Sequence, residues 1–253
     1  MDRLPKGVSS LELRRKKFGG SEASRPALLR SVDDLSKKLD VANENALVDV
    51  VTGLHNRRFF NGVLTDRLNQ MSREKFRNPG AGLALVTIDL DNFKPINDKF
   101  GNPTGDMALR AVANAISKNL REGDVEARTG GDEYSILMTT TNIEELKKRF
   151  FGDTETPHTG SVPKSILYNI NQSIYEEIEL IKRDKPEFKW EPAYFDDGDG
   201  NLVPTYLSAG MSFLGTNLVR GVGHNGLEHG MNYLIEESDS QEKIAKILRK
   251  TGR

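Results

Sequence analysis

Two pairs of acidic residues stand where chemistry is possible. Asp89 and Asp91 end the apolar run LALVTIDL (83–90), and Asp132 and Glu133 follow Gly130-Gly131 between two short strand-like segments. A carboxylate left unpaired at the end of a buried strand is costly to desolvate. If the glycine turn lies beside that strand, carboxylates from both converge, and converging carboxylates repel unless a cation compensates. All-oxygen ligands favour Mg²⁺ or Mn²⁺ over zinc. A metal held between carboxylates at a strand end suits phosphoryl transfer to a hydroxyl. Taken singly, each of these residues also reads as a solvated turn carboxylate.

Positioning them requires alternating helices and strands. Phe60, Leu64, Leu68 and Met71 form one helical stripe; Leu109, Val112, Ile116 and Leu120 form another; Ile166, Ile170, Ile174, Ile178 and Ile181 form a third. Residues 83–90 read as a buried strand. Asp124–Arg128 and Tyr134–Met138 read as strands joined by a turn at Thr129–Glu133, whose adjacent glycines permit the positive φ of a tight hairpin. Strand character returns at Thr205–Phe213, and a last helix is expected over Ser240–Arg249. DDGDGN (196–201) has the composition of a calcium loop, but Leu207 stands where its twelfth-position glutamate belongs, so a β-turn is expected.

Upstream, residues 1–38 carry ten Lys/Arg against five Asp/Glu. That reads as a solvated tail or as a docking segment for an acidic partner. Leu28, Val32, Leu35, Leu39, Ala42 and Ala46 then follow alternating spacings of four and three, an a/d seam. It suits a short dimer-forming stalk, or an amphipathic helix packed on its own domain. The chain has no cysteine and a net charge of −1, which excludes disulfides, thiolate metal sites and a global field for nucleic acid. No apolar run approaches the roughly 18 residues of a membrane span, and the amino terminus lacks the apolar core of a signal peptide. A cytoplasmic protein is expected.

Four segments occur in order: DVVTGLHNRR (49–58), IDLDNFKPIND (88–98), GNPTGD (101–106) and ARTGGDEY (127–134). As an ordered set they resemble the motifs of the GGDEF family of diguanylate cyclases, over roughly residues 46–138. Val51 replaces a leucine of the family pattern, Asn102 a histidine and Tyr134 a phenylalanine. The resemblance implies an α/β (α+β), palm-like nucleotidyl cyclase domain: a central, mainly antiparallel sheet flanked by helices, behind an N-terminal helical stalk. The expected organisation is a basic flexible tail over 1–26, a dimerisation stalk over 27–47, and a catalytic domain over 48–253 with an insertion within about 139–203.

The implied reaction condenses two GTP into cyclic di-GMP and two pyrophosphates across a homodimer, through the stalk and across the active site. By resemblance, Asp89 binds metal through its carboxylate and Leu90 through its carbonyl. Asp132 is the second metal carboxylate, and Glu133 a further metal or acid–base group, with two Mg²⁺ (or Mn²⁺) per active site. Asn97 and Asp106 match positions that read the guanine edge, and Asn102 borders that pocket. Asp106, an acceptor for guanine's N1–H and amino group, speaks against adenine. Lys94 and the backbone around Asn92–Phe93 would hold the triphosphate, with Arg249 and Arg253 of the C-terminal RKTGR. Arg121 and Asp124 resemble the family's R-x-x-D inhibitory site for cyclic di-GMP. The alternative is a catalytically weak member that binds GTP or cyclic di-GMP as a sensor. His224 and His229 read as loop histidines, and Trp190, the sole tryptophan, as packing within the insertion.

Overall fold

A computed structural model describes residues 29–35, 46–73, 82–152, 165–196, 202–215, 232–240 and 242. The chain divides into two units, Met1–Ala46 and Leu47–Arg253. In the first, residues 29–35 are helical (α1), with Leu29, Val32 and Leu35 exposed to 63%, 57% and 65%. These are side chains that the seam, or its neighbouring position, would bury against a partner. Leu28, Leu39, Ala42 and the basic tail lie outside the described residues.

The second unit begins with a two-residue strand, β1 (His55–Asn56), and α2 (Arg57–Arg73). Then come β2 (Gly82–Leu90), α3 (Lys94–Phe100), α4 (Asn102–Asn119), β3 (Val125–Arg128) and β4 (Glu133–Thr140). After them run α5 (Ile143–Phe151), α6 (Ile166–Asp184), β5 (Ala193–Asp196), β6 (Leu202–Thr205), β7 (Leu207–Gly215) and the helical residues 232–240 (α7). The main sheet has the order β1-β3-β4-β2-β7. Among the described strands of this sheet only the short β1–β3 pairing is parallel. This is the mixed sheet flanked by helices that the resemblance implies.

The run LALVTIDL lacks strict alternation because β2 is covered on both faces. Leu83 and Leu85 pack with Phe60, Leu64 and Leu68 of α2. Ala84, Val86, Ile88 and Leu90 pack with Val112 and Ile116 of α4 and Ile170 and Ile174 of α6. Successive strand residues point to opposite faces, so Thr87 and Asp89 share the α2 face with Leu83 and Leu85. The burial of the strand thus gives way to polar groups only at its C-terminal end.

Within the stretch 139–203, α5 opens on Asn142, whose Oδ1 accepts the Glu144 and Glu145 amides at 3.1 and 3.2 Å. This is a side-chain cap on two otherwise unpaired helix donors. Leu146, Phe150 and Phe151 carry it into the same core as α6. β5 and β6 form a separate antiparallel pair with Asp196 opposite Leu202. The turn expected for DDGDGN is therefore flanked by a hairpin, although residues 197–201 lie outside the described ones. The last strand begins at Leu207 rather than Thr205, because buried Asn171 of α6 accepts both the Thr205 hydroxyl (3.0 Å) and the Tyr206 amide (2.9 Å). The final helix is formed by residue 232, eight residues before the expected Ser240. Leu234 and Ser238 of α7 are fully buried, a four-residue spacing that the expectation overlooked. Among the described residues no helix is long and apolar enough to cross a membrane.

Candidate active site

β2 and β4 pair antiparallel over eight positions, ending with Asp89 opposite Glu133. The Leu90 amide then donates to the Asp132 carbonyl at 3.2 Å. The two acidic segments are therefore adjacent at one end of neighbouring strands. The fourth carboxylate behaves differently. Asp91 is buried, and the Ser208 hydroxyl of β7 lies 3.0 and 3.3 Å from its two oxygens. Its cost of burial is offset inside the protein, so Asp91 is held by the sheet while Asp89 keeps the α2 face.

Between α2 and the strand ends is a cavity of about 270 Å³, bordered by Arg57, Thr87, Asp89, Glu133 and Ser135. The Thr87 hydroxyl, one pleat before Asp89, is buried without a hydrogen-bond partner. Among the described residues no three His, Cys, Asp or Glu side chains gather closely enough to hold an ion by themselves. The carboxylates that border the cavity are those of Asp89, Glu133, Asp239 and Glu242, while Asp132 is placed at this strand end by its carbonyl, which accepts the Leu90 amide, so the donors available are all oxygen. That set fits Mg²⁺, which takes one or two carboxylates and completes its shell from water and substrate phosphates.

The hairpin is tighter than its glycines suggest, and for another reason. The Thr129 and Gly130 amides both donate to the Glu133 carbonyl, at 2.9 and 3.2 Å. Neither Gly130 nor Gly131 takes a positive φ; among the described glycines that conformation occurs at Gly53, Gly101, Gly123 and Gly152. Gly130 is needed because a Cβ there would sit 2.2 Å from Glu133 Oε2 and 2.9 Å from Glu133 Cβ. The expected reason, backbone conformation, is replaced by a close approach of the glutamate side chain.

Two arginines brace this turn, and sequence reasoning assigned neither a role. Arg57, the first residue of α2, donates through Nε to the Thr129 carbonyl and lies 3.4 Å from Glu133 Oε2. Arg128 donates to the Gly131 carbonyl at 2.7 and 3.1 Å and to both oxygens of Asp49 at 3.1 and 3.3 Å. Asp49 also accepts the Thr52 amide and hydroxyl, at 2.9 and 2.7 Å. Burial pushes the Asp49 carboxyl up, but the Thr52 bonds and the Arg128 guanidinium outweigh it and hold it below its ordinary value. The only signal in the sequence was that Asp49, Thr52, Arg57 and Arg128 all fall inside the motifs. Tyr134 is buried, its hydroxyl donates to the Leu109 carbonyl at 2.9 Å, and desolvation raises its phenol pKa.

The two positions that the resemblance assigns to the guanine edge are also brought together. Asn97 lies on α3 and Asp106 on α4, two helices separated by Gly101 at φ 80°. A Cβ on Gly105 would stand 1.8 Å from Asn97 Oδ1, so the amide of Asn97 rests on a bare Cα beside Asp106. Asn102 is exposed at the first position of α4, and Lys94 is exposed at the first of α3. Phe93 is buried, and its ring packs in the core rather than facing a ligand.

Arg121 and Asp124 sit at the opposite end of β3 from the hairpin, so the structure does not join them to the carboxylates. Asp124 is buried and accepts the Arg121 amide and Nε, each at 3.3 Å. Arg121 also donates to the Thr139 carbonyl at 2.6 Å, leaving its side chain about half exposed. Arg249, Arg253, His224 and His229 lie outside the described residues.

The family model described as diguanylate cyclase, GGDEF domain, matches residues 46–172. A diguanylate cyclase of Pseudomonas aeruginosa, DgcP, is 40% identical over 42% of this chain and 15% of its own length. A cyclic di-GMP phosphodiesterase of the same organism, NbdA, is 41% identical over 49% of this chain, again 15% of its own length. The chain thus spans about a sixth of these relatives. The coiled coil and GGDEF domain of Caulobacter crescentus DgcB, solved with c-di-GMP, superposes with a TM-score of 0.53. That match has 19% identity and covers 89% of this chain and 93% of the other, a likeness of fold.

Proposed function

This chain belongs to the GGDEF-domain diguanylate cyclase family, and from that premise we propose that it condenses two GTP into cyclic di-GMP and two pyrophosphates. The observation that carries the reading is the register of Asp89 against Glu133, with the Asp132 carbonyl on the next amide. Asp89, Asp132 and the Leu90 carbonyl hold Mg²⁺ or Mn²⁺, two ions per site, with Glu133 as a further ligand or acid–base group. Bound there, a divalent cation lowers the pKa of an attacking hydroxyl and offsets charge on the phosphate.

Asn97 and Asp106 read the guanine edge, bordered by Asn102. Lys94 and the backbone of Asn92–Phe93 take the phosphates, with Arg249 and Arg253. Each 3′-hydroxyl attacks the α-phosphate of the facing GTP, so one protomer holds half of the reaction and a homodimer completes it. The exposed Leu29, Val32 and Leu35 of α1 supply a face for the pairing stalk over 27–47. The half-exposed Arg121, oriented by buried Asp124, offers a guanidinium to the product, which restrains the dimer. The reading places the protein in the cytoplasm.

The test is incubation of purified chain with GTP and Mg²⁺, nucleotides being resolved by chromatography, beside Asp132→Ala. Cyclic di-GMP from the native chain and none from the variant supports the proposal. No product, with binding of cyclic di-GMP that Arg121→Ala removes, replaces the enzyme by a binding sensor. The pairing of the Glu133 carboxylate with Arg57 at 3.4 Å is the observation that favours that second reading.

A further inference from the structure

Between β2 and α3 the chain has three residues, Asp91, Asn92 and Phe93, and each is held by the described stretches 188–196 and 202–206, through Trp190, Glu191 and Tyr206. The Trp190 indole N–H donates to the Asp91 carbonyl at 2.8 Å, and the Asp91 amide donates to the Tyr206 carbonyl at 2.9 Å. The Asn92 amide group donates to the Glu191 carbonyl at 3.1 Å. The Phe93 ring meets the Trp190 ring edge-on at 6.2 Å, and Tyr206 meets Trp190 at 5.3 Å. Trp190 is buried at 4% exposure, and the polar edge of its ring is satisfied by the Asp91 carbonyl.

Asn92 is where this clamp is needed. It is the only non-glycine residue with a positive φ (57°) among those described. Asparagine is one of the few L-residues that enter the left-handed region, and there too the conformation costs free energy, so it persists where its surroundings hold it. Here the neighbours on both sides and the side chain itself are tied to one strap. The same strap is fixed at its start, where Lys185 donates to the Thr104 hydroxyl at 3.0 Å and Phe188 stacks edge-on against Phe100 at 5.7 Å.

We infer that Trp190 is a positioning residue for nucleotide phosphates, setting the backbone of Asn92–Phe93 in the conformation that receives them. The inference rests on the proposed placement of the triphosphate at this loop, and its test does not require turnover. The ligand is 3′-deoxy-GTP, which lacks the attacking hydroxyl, with Mg²⁺, and binding is measured by calorimetry on the full chain. Trp190→Phe keeps an aromatic ring at the position and removes the N–H together with the five-membered half of the indole, and urea denaturation reads the packing that is lost with it. Its dissociation constant for 3′-deoxy-GTP should rise about five-fold, the equivalent of one hydrogen bond of about 1 kcal/mol, while that for guanosine, which has no phosphate, stays unchanged. Because Trp190 is the sole tryptophan, its emission in the native chain should also shift as 3′-deoxy-GTP saturates the site and not as guanosine does.

Equal weakening of both ligands, or a lower thermal midpoint with unchanged affinity for both, would mean a packing role only and overturn the inference. So would native emission that does not respond to bound 3′-deoxy-GTP. Failure of GTP to yield cyclic di-GMP while 3′-deoxy-GTP still binds with the Trp190 dependence sinks the cyclase reading alone. Absence of any nucleotide binding removes both.

Discussion

Replacing Gly105 by alanine should separate nucleotide recognition from stability. Gly105 is buried in the first turns of α4, at a conformation open to any L-residue. Alanine is favoured over glycine in a helix by about 1 kcal/mol. Its Cβ, however, would lie 1.8 Å from Oδ1, 2.9 Å from Cγ and 3.4 Å from Nδ2 of Asn97. Every contact is with the far end of one half-buried side chain, which can rotate away at a cost of about 1 kcal/mol. The two terms nearly cancel, so Gly105→Ala should unfold within about 1 kcal/mol of the native chain in urea. On the proposed reading of Asn97, the evicted amide no longer reaches guanine. Losing one or two hydrogen bonds at that edge is worth about 1–3 kcal/mol, so KM for GTP should rise about 5- to 150-fold. Steady-state cyclic di-GMP formation reads the KM. Asn97→Ala should reproduce the effect, and adding Gly105→Ala to it should change KM no further, because both act through one amide. An unchanged KM in a folded Gly105→Ala protein would rule out this role for the Asn97 amide, as would additive effects in the double variant.

Tyr134→Phe should lower stability by about 1 kcal/mol, measured by urea denaturation, because the Leu109 carbonyl loses a buried donor; product formation should continue. The Asp49 carboxyl is lowered in the folded protein, so its contribution is present above the unfolded value of about 3.9 and is lost as pH falls through the lower folded value. Asp49→Asn should therefore flatten the acid limb of the stability profile. The Asp49 side chain is 21% exposed and solvent still screens part of its pairing with Arg128, so the change should be about 1 kcal/mol; an acid limb identical to the native one would count against the Arg128–Asp49 brace.

The sequence made the helical stripes of α2, α4 and α6 legible because each repeats at a helical period over three or more turns. The acidic strand end and the hairpin were legible because their polar residues interrupt apolar runs. Their adjacency was only conditional, since pairing of β2 with β4 joins residues more than forty positions apart and leaves no local trace. Trp190 shows the limit more sharply. Its partner, the Asp91 carbonyl, is a backbone atom ninety-nine residues away, and no side-chain pattern announces a backbone acceptor. Gly130 was singled out for the wrong physical reason, because a need for absent volume and a need for positive φ both appear in sequence as glycine.

The register of β2 ties the acidic cluster to the inheritance of the fold. β2 is paired with β4 over eight positions and with β7 over nine, and its side chains fill a different core on each face. A shift of one residue would turn Asp89 toward the α4–α6 side, and would send Leu83 and Leu85 there with it. The spacing of the carboxylates is therefore not a quantity that single mutations can adjust by degrees. Substitutions in loops and helices leave the opposition of Asp89 and Glu133 in place, because it is held by the ladders on both sides of the strand and not by any one neighbour.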